Sequence, residues 1–228
     1  MVSLILHIAV LLMTVLACLM RFGGVRFFSE NVAPPGWSAL RYFTTESNVL
    51  IGLIAIPCIV VDSLRLAGKI KERPFWIEVA EFVGASCLAL TMITVLFILG
   101  PGVAIVDQTI HSFFNLYFNH NLFFHLLTPI AAIFAFLLNA SGRLNYRFII
   151  VSVVPALMYE VFYSIVAFSH MDASGKVAYE FDWYGFMRGG VVSGVFSIIG
   201  MAGLATLLSF LLLFFYKRTT VSQHNEKR

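Results

Sequence analysis

Charge is scarce in this chain. Of 228 residues, only 12% are Asp, Glu, Lys or Arg, while 60% are hydrophobic and the mean hydropathy is +0.90. A soluble domain of this length needs far more polar surface, so that class is excluded. Net charge is only +3, with the basic residues scattered between apolar runs, so no basic patch exists for a nucleic acid. Cysteine is nearly absent: Cys18, Cys58 and Cys87 each sit inside an apolar run without C-x-x-C spacing. They read as small core residues, neither disulfides nor metal ligands. Also lacking are an internal repeat, a low-complexity tract, a dinucleotide loop and a Walker-type lysine, which argues against a nucleotide-driven machine. No spacer is long enough for a second domain, so residues 1–228 are read as one unit.

What is present is a succession of nearly uncharged stretches of roughly 20 residues, each long enough at about 1.5 Å per residue to cross about 30 Å of hydrocarbon. The expected fold is an all-α polytopic bundle of six transmembrane helices, at about residues 2–20, 39–61, 76–99, 121–139, 148–168 and 191–215. Turn chemistry marks the breaks: Gly23, Gly24, Pro34, Pro35 and Gly36; Pro74; Gly100, Pro101 and Gly102; Ser141 and Gly142. The first segment has no basic flank before it and no A-x-A-like site before Arg21, so it is expected to be a retained helix.

Orientation follows from the basic residues. With both termini cytoplasmic, the inner side carries Arg65, Lys69, Lys71, Arg73, Arg143, Arg147, Lys217, Arg218, Lys227 and Arg228. The outer side carries Arg21, Arg26, Arg41, Lys176 and Arg188. Ten against five places both termini inside, and the location expected is an integral one, in the cell membrane for a bacterial chain.

That topology sorts polar residues by depth. The second helix opens at its outer end with Arg41, Tyr42, Phe43, Thr44, Thr45, Glu46, Ser47 and Asn48, with Thr44 and Asn48 on one face four residues apart. The fourth helix carries His125 one to two turns in from the same side, at a depth similar to Thr44, followed by Thr128 and Pro129. The fifth brings Tyr159, Glu160, Tyr163 and Ser164 outward, toward a loop holding Asp172, Tyr179, Glu180, Asp182 and Tyr184.

Each signal has a plain structural reading beside it. A threonine in a membrane helix usually bonds its own i−4 carbonyl or a neighbouring helix. An ionisable group such as His125 is expensive in a span and faces a cavity or a partner. His111 and His120 read as surface residues, His7 as packing, Glu78 and Glu81 as interfacial. Glu160 reads as a carboxylate that orients His125 or pairs with an arginine. Trp37, Trp76 and Trp183 read as interface anchors, and Gly190 with Gly194 as a G-x-x-x-G that admits a neighbouring helix. His120 and His125, five apart with no carboxylate in helical reach, do not make a metal site, and no cofactor is expected.

A threonine hydroxyl becomes a nucleophile when a base takes its proton during attack on a carbonyl, and a neutral histidine within hydrogen-bond reach can do so. Thr44 and His125 are therefore the expected catalytic pair for ester cleavage. Asn48 would donate to the oxyanion or fix the threonine rotamer, and Glu160, Tyr163 and Asp182 would support. A transporter with His125 and Glu160 on its path, or a non-catalytic scaffold, would use the same residues differently. Transport predicts broken helices or an internal repeat.

The run Arg41-Tyr42-Phe43-Thr44, Asn48, the stretch His125-Leu126-Leu127-Thr128-Pro129, the Tyr159 and Tyr163 helix and the Asp182-Trp183-Tyr184 loop together resemble the androgen-induced-gene type of integral membrane protein and its bacterial relatives. The resemblance spans nearly the whole chain. It implies an atypical threonine hydrolase of fatty acid esters of hydroxy fatty acids, with the nucleophile at Thr44, the base at His125, and an acyl ester drawn from the bilayer as substrate. Thr45 and the Glu46-Ser47-Asn48 continuation are closer to the bacterial branch.

Overall fold

The computed structural model describes residues 1–25, 36–106, 108–178, 180–187 and 189–225. Arg26, Pro34, Pro35, Tyr179, Arg188, Lys227 and Arg228, which entered the sequence reading, lie outside them. Among the described residues the chain is helical, with six helices long and apolar enough to cross a membrane: α1 (Val2–Gly23), α2 (Phe43–Leu66), α3 (Phe75–Gly102), α4 (His120–Leu138), α5 (Phe148–Ser169) and α6 (Gly190–Val221). This is the architecture of an integral multi-pass membrane protein. Helices satisfy every backbone polar group within one segment, which hydrocarbon demands. Large apolar side chains such as Leu12, Leu53, Phe97, Ile150, Met158 and Phe196 stand exposed on the outside of the bundle, as a lipid-facing surface requires.

Helix α3 is the hub. It packs against α2, α4, α5 and α6, and 61% of its most apolar stretch is buried, against 39% or less for every other helix. Close approach to it depends on Gly84, whose missing Cβ leaves room for Ile51 of α2, and α1 nests on α2 where Gly52 meets Thr14. Toward the end that holds both termini, Phe82, Phe136 and Tyr216 stack in sequence, with ring centroids 5.5 and 5.2 Å apart, joining α3, α4 and α6.

Three local expectations are corrected. The second span does not begin at residue 39: Trp37–Arg41 is a 3₁₀ turn, Tyr42 is extended, and the α-helix begins at Phe43. Arg41 and Tyr42 therefore precede α2, and Thr44 lies in its first turn. Gly100, Pro101 and Gly102 do not end the third span. A π turn at Val95–Leu99 leads into a further helical stretch, Gly100–Val106. Gly194 admits the side chain of Met187 from the preceding loop, since an added Cβ would stand 2.0 Å from its sulfur, so this G-x-x-x-G accommodates a loop residue and not a helix.

Helix α4 repeats the π device at Phe123–Leu127. Each π turn ends two residues before a proline, Pro101 or Pro129. Proline has no N–H and its ring crowds the preceding turn, and a π turn is one way to carry a helix past it. Both π turns lie at the level of Thr44.

Candidate functional site

The π turn of α4 presents His125. Thr128 N–H bonds to the Phe123 carbonyl in π register, so the next donor in that register would come from Pro129, which has none. The Phe124 carbonyl is met instead by Asn48 of α2, whose Nδ2 donates to it at 3.1 Å and to the Thr44 carbonyl at 2.8 Å. Asn48 is fully buried and commits its amide hydrogens to these two carbonyls, clamping the first turn of α2 to the turn that carries His125.

His125 is buried, with its ring edge-on to Tyr117. Its Nδ1 lies 2.7 Å from the carbonyl oxygen of Leu116, in the connection between α3 and α4. A carbonyl only accepts, so Nδ1 carries the proton, and in the neutral ring Nε2 carries the lone pair. The group that orients His125 is thus a backbone carbonyl and not Glu160.

A cavity of about 270 Å³ brings together Thr44, Thr45, His125, Tyr42, Trp183 and Tyr184, with Arg21, His120 and Asn121 also on its wall and Val95, Leu99 and Phe124 as its apolar part. Sequence reasoning placed His120 at the surface and counted Arg21 as an outer-loop charge. Both are buried, Arg21 with its guanidinium 5.8 Å from the Tyr42 ring.

Thr44 is half-buried and also lines a second, narrower cavity of about 40 Å³, together with Tyr159, Glu160, Tyr163 and Tyr184. The threonine therefore stands between a cavity holding the imidazole and one holding a carboxylate. Glu160 Oε2 is buried without a hydrogen-bond partner, and among the described residues Glu160 forms no ion pair with an arginine.

Asp182 lines neither cavity. It is buried, accepting from Tyr163 Oη on one oxygen and from the Met187 N–H, at 3.1 Å, on the other, which ties the loop between α5 and α6 to α5. The same loop holds the start of α2: Tyr184 Oη accepts the Phe43 N–H at 3.0 Å, one of the orphan donors of a helix start. Tyr159 Oη donates to the Arg41 carbonyl at 2.6 Å and accepts from Trp183 Nε1 at 2.9 Å. Trp183 is thus a buried bracing residue, whereas Trp37 and Trp76 are exposed as interface anchors would be. Desolvation pushes the Tyr184 phenol up to about 12, so it remains a neutral O–H, and its oxygen accepts the Phe43 N–H.

No family model, curated protein or solved structure matches this chain. Among the described residues, the histidine, cysteine and carboxylate groups close enough to share a metal lie at the opposite end of the bundle, at His7, Cys58 and Glu81.

Proposed function

We propose that this protein is a membrane-embedded threonine hydrolase that cleaves lipid esters, with Thr44 as nucleophile and His125 as general base. One observation carries the reading: Thr44 and His125 share a cavity in which Nδ1 of the histidine is committed to the Leu116 carbonyl, leaving Nε2 as the basic nitrogen. Fixing one ring nitrogen so that the other can take a proton is the job of the third group in nucleophile–base–orienter arrangements.

In this mechanism Thr44 Oγ1 attacks the ester carbonyl carbon while His125 Nε2 takes its proton. Collapse of the tetrahedral intermediate breaks the bond to the alcohol oxygen, which leaves with that proton, and Thr44 carries the acyl group. Water, deprotonated by the same nitrogen, then releases the carboxylic acid and restores the hydroxyl. Val95, Leu99 and Phe124 offer an acyl chain apolar contact, and the Tyr184 hydroxyl is one of the polar groups on the same cavity wall. The resemblance to the androgen-induced-gene type of membrane hydrolase supports the same pair and an ester of a hydroxy fatty acid as substrate class, and the excess of Lys and Arg on that side supports cytoplasmic termini.

The test is covalent trapping. Purified protein in detergent is treated with a fluorophosphonate, and the labelled peptide is identified by mass spectrometry. Labelling falls on Thr44, survives Thr45→Ala, and drops by about 10²–10⁴-fold in His125→Ala, the usual contribution of a general base. Absence of labelling on folded wild-type protein overturns the hydrolase reading and leaves His125 and Glu160 as residues of a translocation path or a helix lock.

A further inference from the structure

At the other end of the bundle, three helices each deliver one side chain to a common point. The imidazole of His7 (α1), the thiol of Cys58 (α2) and a carboxylate oxygen of Glu81 (α3) have ligand atoms all within 4.8 Å of one another, and all three residues are buried. We propose that His7, Cys58 and Glu81 form a binding site for a divalent transition-metal cation of the zinc class, independent of the hydrolase reading.

The ligand set is the first argument. Imidazole, thiolate and carboxylate together suit zinc and its neighbours, whereas magnesium and calcium demand oxygen ligands. Three protein ligands leave a fourth position of a tetrahedron for water.

The second argument lies one layer out, where the ligating groups are themselves held. Asp62 Oδ2 sits 2.9 Å from His7 Nδ1, so Nδ1 donates to the carboxylate and Nε2 faces Glu81. That is the carboxylate–histidine–metal order, which fixes the tautomer and raises the basicity of the ligating nitrogen. Glu81 uses its two oxygens differently: Oε2 is held by Arg73 Nη1, while Oε1 faces His7 at 2.6 Å and receives Asn139 Nδ2 at 3.4 Å. Ser3 Oγ donates to Asp62 at 2.5 Å and accepts from Asn139 at 2.7 Å, closing the outer ring.

Charge is the third. Arg73 and a divalent cation together balance Asp62, Glu81 and a Cys58 thiolate, so the loaded cluster is neutral in a low-dielectric interior where net charge is expensive. On binding, the thiol proton and the proton shared between His7 Nε2 and Glu81 Oε1 both pass to water. Arg73 Nε pairs with Asp62 Oδ1 at 3.3 Å, while Arg73 Nη2 is buried without a hydrogen bond. Tetrahedral bonds of about 2.0–2.1 Å set neighbouring ligand atoms roughly 3.3 Å apart, so binding draws His7 Nε2 and Glu81 Oε1 about 0.7 Å further from each other. A cavity of about 260 Å³ lined by Met1, Ser3, Asp62, Arg65 and Lys71 opens beside Ser3 and Asp62, the outer partners of the cluster.

The experiment uses the full chain in detergent micelles, purified through a tag without histidines. Metal per chain is measured by inductively coupled plasma mass spectrometry. The protein is then stripped with chelator and titrated with Co²⁺, whose thiolate charge-transfer band in the near ultraviolet reports a Cys–metal bond. The proposal predicts one equivalent of metal per folded chain and a band that vanishes in Cys58→Ser but persists in Cys87→Ser. Asp62→Asn weakens affinity about 10–100-fold while keeping the band, as loss of an outer partner does. Monodisperse wild-type protein that takes up no Co²⁺, or a band unchanged in Cys58→Ser, overturns it and leaves the cluster as an ion lock between α1, α2 and α3.

Discussion

Replacing Asn48 by leucine tests the geometry on which the proposed Thr44–His125 site depends. Asn48 donates to the carbonyls of Thr44 and Phe124 at 2.8 and 3.1 Å and is fully buried. The two acceptors are not equivalent. The Thr44 carbonyl keeps a second donor, Ser47 Oγ at 3.2 Å, whereas the Phe124 carbonyl faces the position where Pro129 offers no N–H. Leucine has the same heavy-atom skeleton as asparagine with bulkier terminal groups, so the change orphans one buried carbonyl without opening a cavity. An unsatisfied buried acceptor costs about 1–3 kcal/mol. Asn48 Oδ1 is itself buried without a partner, and its removal offsets part of that, which leaves about 1–2 kcal/mol. Asn48→Leu is therefore expected to lower the unfolding free energy in mixed micelles by that amount. It also slows fluorophosphonate labelling of Thr44 on the order of tenfold to a hundredfold, the effect of roughly 1 Å of misplacement between reacting groups. Pro129→Ala supplies the missing amide, so the double variant is less destabilised than the sum of the singles by about 1 kcal/mol, well outside the additivity of independent sites. An Asn48→Leu protein within about 0.3 kcal/mol of wild type, or strictly additive singles, refutes the orphan-carbonyl argument.

Two further outcomes follow from the packing. An added Cβ at Gly52 would stand 2.7 Å from Thr14 Cγ2, so Gly52→Ala destabilises by about 1–3 kcal/mol as an overpacked contact, and Thr14→Ser in the same chain restores most of it; chemical unfolding in micelles reads both. Tyr163→Phe removes the phenol that donates to buried Asp182, leaving that carboxylate with the Met187 N–H; unfolding free energy falls by about 1–3 kcal/mol, and amide exchange in residues 180–187 accelerates by contrast with α3.

The bilayer fixes element length and composition in advance, and for that reason the six spans are legible in the residues alone. Hydrocarbon thickness demands about 20 apolar residues per crossing, and no soluble alternative accommodates this hydropathy. What the spans do near their ends is less legible. Residues 39–42 are mixed in hydropathy, and a 3₁₀ turn there is decided by Tyr159 and Tyr184, which come from far along the chain to hold the Arg41 carbonyl and the Phe43 N–H. Pro101 reads as a stop because proline normally ends a helix, and the π turn that carries α3 past it is a property of the packed bundle.

The proposed Thr44–His125 site divides the same way. Thr44 and His125 were visible because a hydroxyl beside a polar helix start and an imidazole within a span are both unusual in apolar surroundings. The partner of His125 was not visible, since Leu116 contributes a backbone carbonyl, which every residue possesses and no side-chain rule selects. Asn48 was visible as a neighbour of Thr44 but not as a clamp on Phe124, which is 76 residues away.

By itself, the sequence determined the solvent of this protein, the number of its long helices and the residue types available for chemistry, because these depend on local composition measured against a fixed membrane thickness. Only tertiary structure decided which polar groups meet. His7, Cys58, Asp62, Arg73, Glu81 and Asn139 come from α1 to α4 and the connections at their ends, and singly they read as packing, small core or interfacial residues. Packing α1 to α4 side by side brings the six residues into one cluster, buried except for half-buried Asn139. Their chemistry comes from the company they keep across helices, and that company is set by distances no linear pattern contains.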